Sequence, residues 1–322
     1  MRRLLIGLAA GTLFVAATAC GSSGSSGSDG GEASGGITTL KIGVIPIIDV
    51  APVYLGQKKG FYSKRGLKLE PTLAQGGAAI LPAVVSGQFD FGFSNMTSLL
   101  VAQSKSMPVQ AVVNGVASTG KAGADFAAIA VPKGSPLKSA KDLEGKKVAV
   151  NTLGNICDTS VNESVRKDGG DPSKAEYVEM PFDQMPAALS KGQVDAACVV
   201  EPALATIKSQ GGTALASNFV DVSPDLTVAM YFTSTQYAQK NPELVKKFQE
   251  ATAESLAYAD EHPDEVRQII TTYTKIPDSL LETVTLPRWP AEPDRASIER
   301  LAELGQQDGL FEKAPDLDKL LP

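Results

Sequence analysis

The apolar residues between positions 41 and 93 fall into short blocks that switch between two periods. Lys41-Ile-Gly-Val-Ile45 is a continuous apolar run stopped by Pro46, the pattern of a strand buried on both faces. Asp49-Val-Ala-Pro52 opens a helical stretch through Lys59, which Gly60 closes. Leu67-Lys-Leu-Glu70 alternates as a strand does. Gly76-Gly77 precedes a helix from about Ala78 to Val85, and Gly87 to Phe93 returns to strand, ending at Ser94-Asn95. Strand, helix, strand, helix, strand predicts a parallel sheet covered by helices.

The same order recurs downstream. Lys147-Val-Ala-Val150 reads as a strand ending in Asn151-Thr-Leu-Gly-Asn155, followed by a helix from about Cys157 to Lys167. A strand at Tyr177 to Met180, a short helix at Met185 to Ser190 and a strand from Gly192 to Val199 complete the unit before Glu201-Pro202. Gly87-Gln-Phe-Asp90 and Gly192-Gln-Val-Asp195 lie 105 residues apart, and at that offset Val44 and Ile45 meet Ala149 and Val150. A motif repeated in register with its elements indicates an internal repeat. Beyond it come a strand at Leu226 to Phe232, a long helix from Asn241-Pro242 to about Ala259, and helical segments near 264–273, 277–283 and 295–306. The expected fold is α/β with two lobes, each a mostly parallel sheet flanked by helices. Lobe 1 would comprise 37–125 and 225–322, the tail returning to it, and lobe 2 would comprise 126–224. Ligands of such sheets bind beyond the carboxyl ends of the strands, so a site is expected between two facing rims.

Composition narrows the chemistry. The 322 residues are 43% hydrophobic and 20% charged, as in a core-bearing protein. A net charge of −6 gives no basic stripe for nucleic acid. One histidine and three cysteines form no zinc ligand set, so neither metal nor cofactor is expected. No histidine is placed to activate a Ser or Cys nucleophile, so no catalytic residue is expected either.

The first forty residues address the compartment. Arg2 and Arg3 precede an uncharged run from Leu4 to Ala17, shorter than a bilayer span, which reads as a signal peptide over 1–19. Ala17-Thr18-Ala19-Cys20 resembles the lipobox of bacterial lipoproteins, with Ala17 where that pattern prefers Leu. The resemblance implies lipidation of Cys20; a plain secretory signal cleaved near Ala19 is the alternative. Residues 20–36 are Gly and Ser rich and read as a tether with a reach of about 20–25 Å.

Asp49-Val-Ala-Pro52, Gly60-Phe-Tyr-Ser-Lys-Arg-Gly-Leu67, Gly76-Gly77, Ser86-Gly-Gln-Phe-Asp90, Asp142-Leu-Glu-Gly-Lys-Lys147 and Glu201-Pro202 together resemble the solute-binding proteins of nitrate, sulfonate and taurine importers. The likeness covers about residues 40–205. It implies a type II periplasmic-binding-protein fold, a small-molecule solute, a monomer, and a permease with its ATPase as partners, the protein held outside the membrane by its lipid. A sensory receptor without transport is the competing reading. The superfamily also holds thiamine-pyrimidine binders, which carry a Trp just after the first-strand Asp, and a pyrimidine-forming enzyme that uses histidine as a reactant. Here Val50 follows Asp49, and His262 lies in a polar loop.

Candidate ligand contacts are Asp49, Val50, Gly76, Gly77, Ser94, Asn95, Asn151, Thr152, Asn155, Asp158 and Glu201. Asp49 could instead cap the helix that Pro52 enters, and Asp158 could serve the dipole of its own helix. Gly76-Gly77 offers bare N–H groups at a helix start. Phe93, Phe182, Tyr231 and Trp289 could stack a planar ligand or lie in the core. Three acids and no confidently placed Lys or Arg in the cleft suggest a solute with a cationic or hydrogen-bond-donating end. Cys157 and Cys198 are candidates for a disulfide or for two buried thiols.

Overall fold

A computed structural model describes residues 36–313 and 315–322. The signal segment, Cys20 and the tether before Gly36 lie outside the described residues. The first unit runs β1 (Thr38–Val44), α1 (Ala51–Lys59), β2 (Leu67–Leu73), α2 (Gly77–Val85), β3 (Phe91–Asn95), α3 (Met96–Ser104) and β4 (Val109–Ala117). The chain then crosses to β5 (Ala127–Val131), β6 (Lys147–Val150), α4 (Ile156–Lys167), β7 (Glu176–Glu179), α5 (Met185–Ser190), β8 (Ala196–Val200), α6 (Ala203–Ser209), β9 (Thr213–Ala216) and α7 (Asn218–Val222). It returns through β10 (Thr227–Ser234) to α8 (Thr235–Lys240), α9 (Pro242–Glu261), α10 (Pro263–Ile269), α11 (Arg295–Gln307) and α12 (Leu317–Leu320).

Two five-stranded sheets result, ordered β2-β1-β3-β10-β4 and β7-β6-β8-β5-β9. They share one topology. In each, the fourth strand in spatial order runs antiparallel to its neighbours, and it is the first strand the chain forms after crossing between sheets. Strands β4, β5 and β9 are additions to the elements that the sequence pattern predicts; β5, Ala127–Val131, is buried throughout and shows no alternation.

The repeated Gly-Gln-x-Asp motif has a structural job. Gly87 and Gly192 end their helices at φ +77° and +65°, in the left-handed region. Asp90 Oδ2 then accepts from the Lys41 backbone N–H at 2.8 Å, and Asp195 Oδ2 accepts from that of Lys147 at 2.8 Å. Each aspartate thus pins the strand that opens its repeat, β1 at its fourth residue and β6 at its first. The register differs from the one expected from a single offset. Gly43 pairs with Gly92 and Ala149 with Ala197, so Gly43, not Val44, corresponds to Ala149. The cause is a one-residue difference in connection length: the pinned Lys and Asp are 49 residues apart in the first unit and 48 in the second.

The main apolar cluster fills the first lobe and continues across to Ile156, Val200 and Phe219 of the second, which has two clusters of its own. Cys157 and Cys198 are joined by a disulfide that ties the start of α4 to β8. The tail packs on both lobes. Helix α9 lies on α1 and β4, while α11 touches α3 and also α4 and α7. Arg300 reaches Glu163 at 2.9 Å, and Arg166 pairs with Asp308. Arg288 clamps both crossings, donating to Ser118 O at 2.7 Å and pairing with Asp225 at 3.0 Å. Both sheets and every cluster lie within one compact unit from Gly36 onward, which therefore has what it needs to fold on its own.

Reducing the Cys157–Cys198 bond opens a link across a sequence separation of 41. In the chain-entropy view this lowers the unfolding free energy by about 3–4 kcal/mol. Urea unfolding with and without reductant checks it; an unmoved midpoint would show that the bond does not form in solution.

Candidate functional site between the two sheets

Strands β1 and β3 of the first sheet and β6 and β8 of the second end toward one another, and the rims touch. Gln75 Nε2 donates to Asn151 O at 2.8 Å across the gap. A Cβ on Gly76 would fall 2.8 Å from Asn151 Nδ2 and 2.8 Å from Thr152 Cγ2, so only glycine lets the rims meet this closely. Gly76 itself is extended, at φ −172°, and needs no special backbone freedom.

Between the rims lies a cavity of about 30 Å³. Its walls are apolar: Phe93, Val228 and Ala229 lie on strands of the first sheet with Ile45 and Ile47 just after β1, and facing them are Val200 of β8, Ile156 and Cys157 of α4, Phe182 of the turn before α5 and Phe219 of α7. Three polar side chains join them, Asp49, Asn95 and Asn151, and no Lys or Arg does.

Asp49 sits on the 3-10 turn before α1 and is 2% exposed. It caps nothing, since neither the turn nor α1 has a side-chain cap. Its backbone oxygen accepts from Trp289 Nε1 at 3.1 Å, which fixes the turn against the tail. Its Oδ1, however, is buried with no hydrogen-bond partner among the described residues. Burial pushes the carboxyl up to about 7, helped by the negative charge of Asp125 and opposed by its own backbone N–H.

Asn95 caps α3, its Oδ1 accepting from Ser98 N at 2.9 Å. Asn151 is held by Asn155, whose Nδ2 donates to Asn151 Oδ1 at 2.8 Å. Both amides are therefore oriented by the start of a helix behind them.

The remaining expected contacts lie elsewhere, for identifiable reasons. Val50 is core of the first lobe. Gly77 packs against Ser94, whose Oγ would be 2.0 Å from a Cβ there, and that close fit keeps both off the cavity. Asn155 is fully buried as the cap of α4, with Thr152 hydrogen-bonded to it. Asp158 closes the capping box by accepting from Asn155 N at 3.0 Å; burial raises its carboxyl to about 6, and it does not reach the cavity. Glu201 is fully buried and engaged at both oxygens, by Ala205 N at 2.9 Å and Thr285 N at 3.2 Å. It satisfies an N–H in the first turn of α6 and ties that helix to the tail, with burial lifting it to about 7. Of the four aromatics, Phe93 and Phe182 line the cavity, while Tyr231 and Trp289 are buried away from it. Phe219 and the aliphatic walls were missed, because apolar residues at a site carry the same pattern as core.

Among the described residues no cluster of His, Cys, Asp and Glu could hold a metal ion, and no helix is long and apolar enough to cross a membrane.

A family model described as NMT1/THI5 like matches residues 47–266, which take in the second sheet, all of the first but β1, and Asp49, Asn95 and Asn151. The chain belongs to the NMT1/THI5-like family. Within reach by sequence is a taurine-binding periplasmic protein of Escherichia coli K12, 26% identical over 66% of this chain and 64% of that protein, so the match spans just under two thirds of the relative. A Haemophilus influenzae protein named for thiamine biosynthesis is 25% identical over 83% of the chain and 85% of its own length. Among solved structures, the alkanesulfonate-binding protein of Xanthomonas axonopodis pv. citri, bound to MOPS, superposes with a TM-score of 0.74 at 19% identity, covering 88% of this chain and 98% of that one. The periplasmic nitrate-binding protein of Synechocystis PCC 6803 gives 0.75 at 18% identity, covering 88% and 86%. At these identities the structures establish the NMT1/THI5-like chain as a two-lobed periplasmic-binding-protein fold.

An acid held near 7 when folded, against an ordinary 3.8, keeps its proton more tightly in the folded state. Its contribution to stability is complete below about pH 4 and is lost as pH rises through 7. Asp158 and Glu201 act with the same sign. The unliganded protein is therefore expected to melt lower at pH 7.5 than at pH 5. Asp49→Asn, which mimics the protonated acid, should flatten that fall and raise the melting temperature at pH 8. Calorimetry at both pH values checks this.

Proposed function

We propose that the chain is the extracytoplasmic solute-binding component of an ATP-driven importer, capturing a small polar solute between its lobes and handing it to a permease. One observation carries the reading: a buried carboxylate, Asp49, has an oxygen without a partner and lines a cavity that neither lobe encloses alone. Such a group costs stability until a donor reaches it, and a solute bound between the lobes would supply that donor as they close. The names of the relatives, taurine-binding, alkanesulfonate-binding and nitrate-binding, support the importer role.

The lining sets this chain's solute apart from a simple anion. With Asp49 present and no Lys or Arg on the walls, a head that is cationic or donates hydrogen bonds is favoured over bare nitrate or sulfonate. A flat, amino-bearing heterocycle is the second reading, favoured by Phe93, Phe182 and Phe219 around the same carboxylate. Binding is favoured over catalysis. His262 stacks on Tyr258 with ring centroids 3.7 Å apart, and it is not part of the cavity. Anchoring through a lipid on Cys20 and a monomeric state complete the proposal. Loss of radiolabelled palmitate from Cys20→Ala would support the anchor, and a deletion strain that keeps full solute uptake would favour a sensory receptor instead.

Calorimetric titration of residues 36–322 is expected to show heat with amine-bearing solutes and none with nitrate or methanesulfonate. Asp49→Asn should weaken the bound solute about a hundredfold, the scale of a lost charge-assisted hydrogen bond. Gly76→Ala should weaken it about tenfold with little change in melting temperature, because its methyl group clashes only where the rims meet. Tight binding of a simple sulfonate that survives Asp49→Asn would refute the acidic-site reading.

A further inference from the structure

We propose that the solute is elongated: its donating head lies at Asp49 and an apolar body occupies a second chamber on the far side of Phe182. The proposal rests on the donor-head reading above. The inner cavity of about 30 Å³ has room for a single water, whereas sites that bury a small organic solute measure hundreds of Å³. Next to it lies a chamber of about 510 Å³. The two spaces share three walls, Ile47, Val200 and Phe182.

Phe182 is the divider. It is half-buried, and it packs against the main apolar cluster of the first lobe and against a cluster of the second. It also borders a third space of about 250 Å³ toward Gln75. It opens the short 3-10 turn at Phe182–Gln184, between Pro181 and the first turn of α5. An apolar ring has no hydrogen bond to hold it, and a change of its rotamer is the motion that this proposal requires to join the inner cavity to the chamber.

The chamber's chemistry fits a body rather than a second head. Pro202, Ala203 and Ile276 extend the apolar wall, and Tyr273 is fixed by donating to Ile47 O at 3.1 Å and by stacking on Tyr54 at 4.1 Å. Charge is confined to an ion pair between Lys275 and Asp183 at 2.9 Å, with side chains 87% and 49% exposed. So exposed a pair is weak and opens easily to an entering solute.

The test is calorimetric titration of residues 36–322 with ethylamine, butylamine and hexylamine. Each buried methylene should tighten binding about fourfold, so hexylamine should bind at least tenfold tighter than ethylamine. Ala187→Trp fills the chamber from an exposed position on α5 and should collapse the hexylamine-to-ethylamine ratio. Thr206→Trp fills it from α6 and serves if the first variant folds poorly. Equal affinities in the native chain, or a ratio that survives both fillers, would overturn the elongated solute while leaving the donor-head reading intact. A steep series indifferent to Asp49→Asn would overturn the donor-head reading, and this inference with it. Absence of binding by all three amines would overturn both.

Discussion

The Asp49 carboxylate is taken out of water with no donor among the described residues for one of its oxygens, and much of the surrounding architecture can be read from that constraint. A buried charge with no partner costs several kcal/mol, so a folded chain either neutralises it or holds it rigidly enough to use. Here both occur. Burial lifts the group to about 7, so it is partly protonated near neutral pH. Its turn is clamped by Trp289 Nε1 on its backbone oxygen, and Trp289 N is in turn held by Asp260 Oδ1 at 3.0 Å. The tail thus prevents the relaxation that would let Asp49 reach solvent.

Two of the other buried carboxylates show why partner geometry separates a site from a scaffold. Asp158 also has an oxygen without a partner, but its other oxygen completes a capping box and the group lies off the cavity. Glu201 is engaged at both oxygens by backbone N–H groups from α6 and from the tail. All three have raised carboxyls, so the direction of the shift alone would not single one out. What distinguishes Asp49 is an unpartnered oxygen together with a place on a cavity shared by two lobes.

The repeat was legible from Gly-Gln-x-Asp because its two constraints are local. A left-handed glycine ends a helix, and an aspartate reaches a backbone N–H of the neighbouring strand; both show in four letters. Its register was one residue out at β1, since nothing in the four letters records a connection shortened from 49 to 48 residues. The polar rim was only partly legible. Asp49, Asn95 and Asn151 do line the cavity, but Asn155, Asp158 and Glu201 share their composition and spacing while serving the starts of helices. Sequence cannot tell a cap from a contact when the two are one helical turn apart. Phe219 and Val200 were hidden for the opposite reason, since an apolar wall of a cleft and an apolar core obey the same period.

That ambiguity follows from how the lobes are joined. The main cluster does not stop at the first sheet but runs on to Ile156, Val200 and Phe219, so the cleft walls are an extension of the core interrupted by one small cavity. Contact between the lobes is therefore stabilised by apolar burial and resisted by the desolvated carboxylate. A solute that satisfies Asp49 removes the resisting term and leaves the apolar term in place. On the proposed reading, binding energy and closing energy have the same origin, and the head group that reaches Asp49 sets the discrimination. The shape of the walls decides how much more of the solute is buried with it.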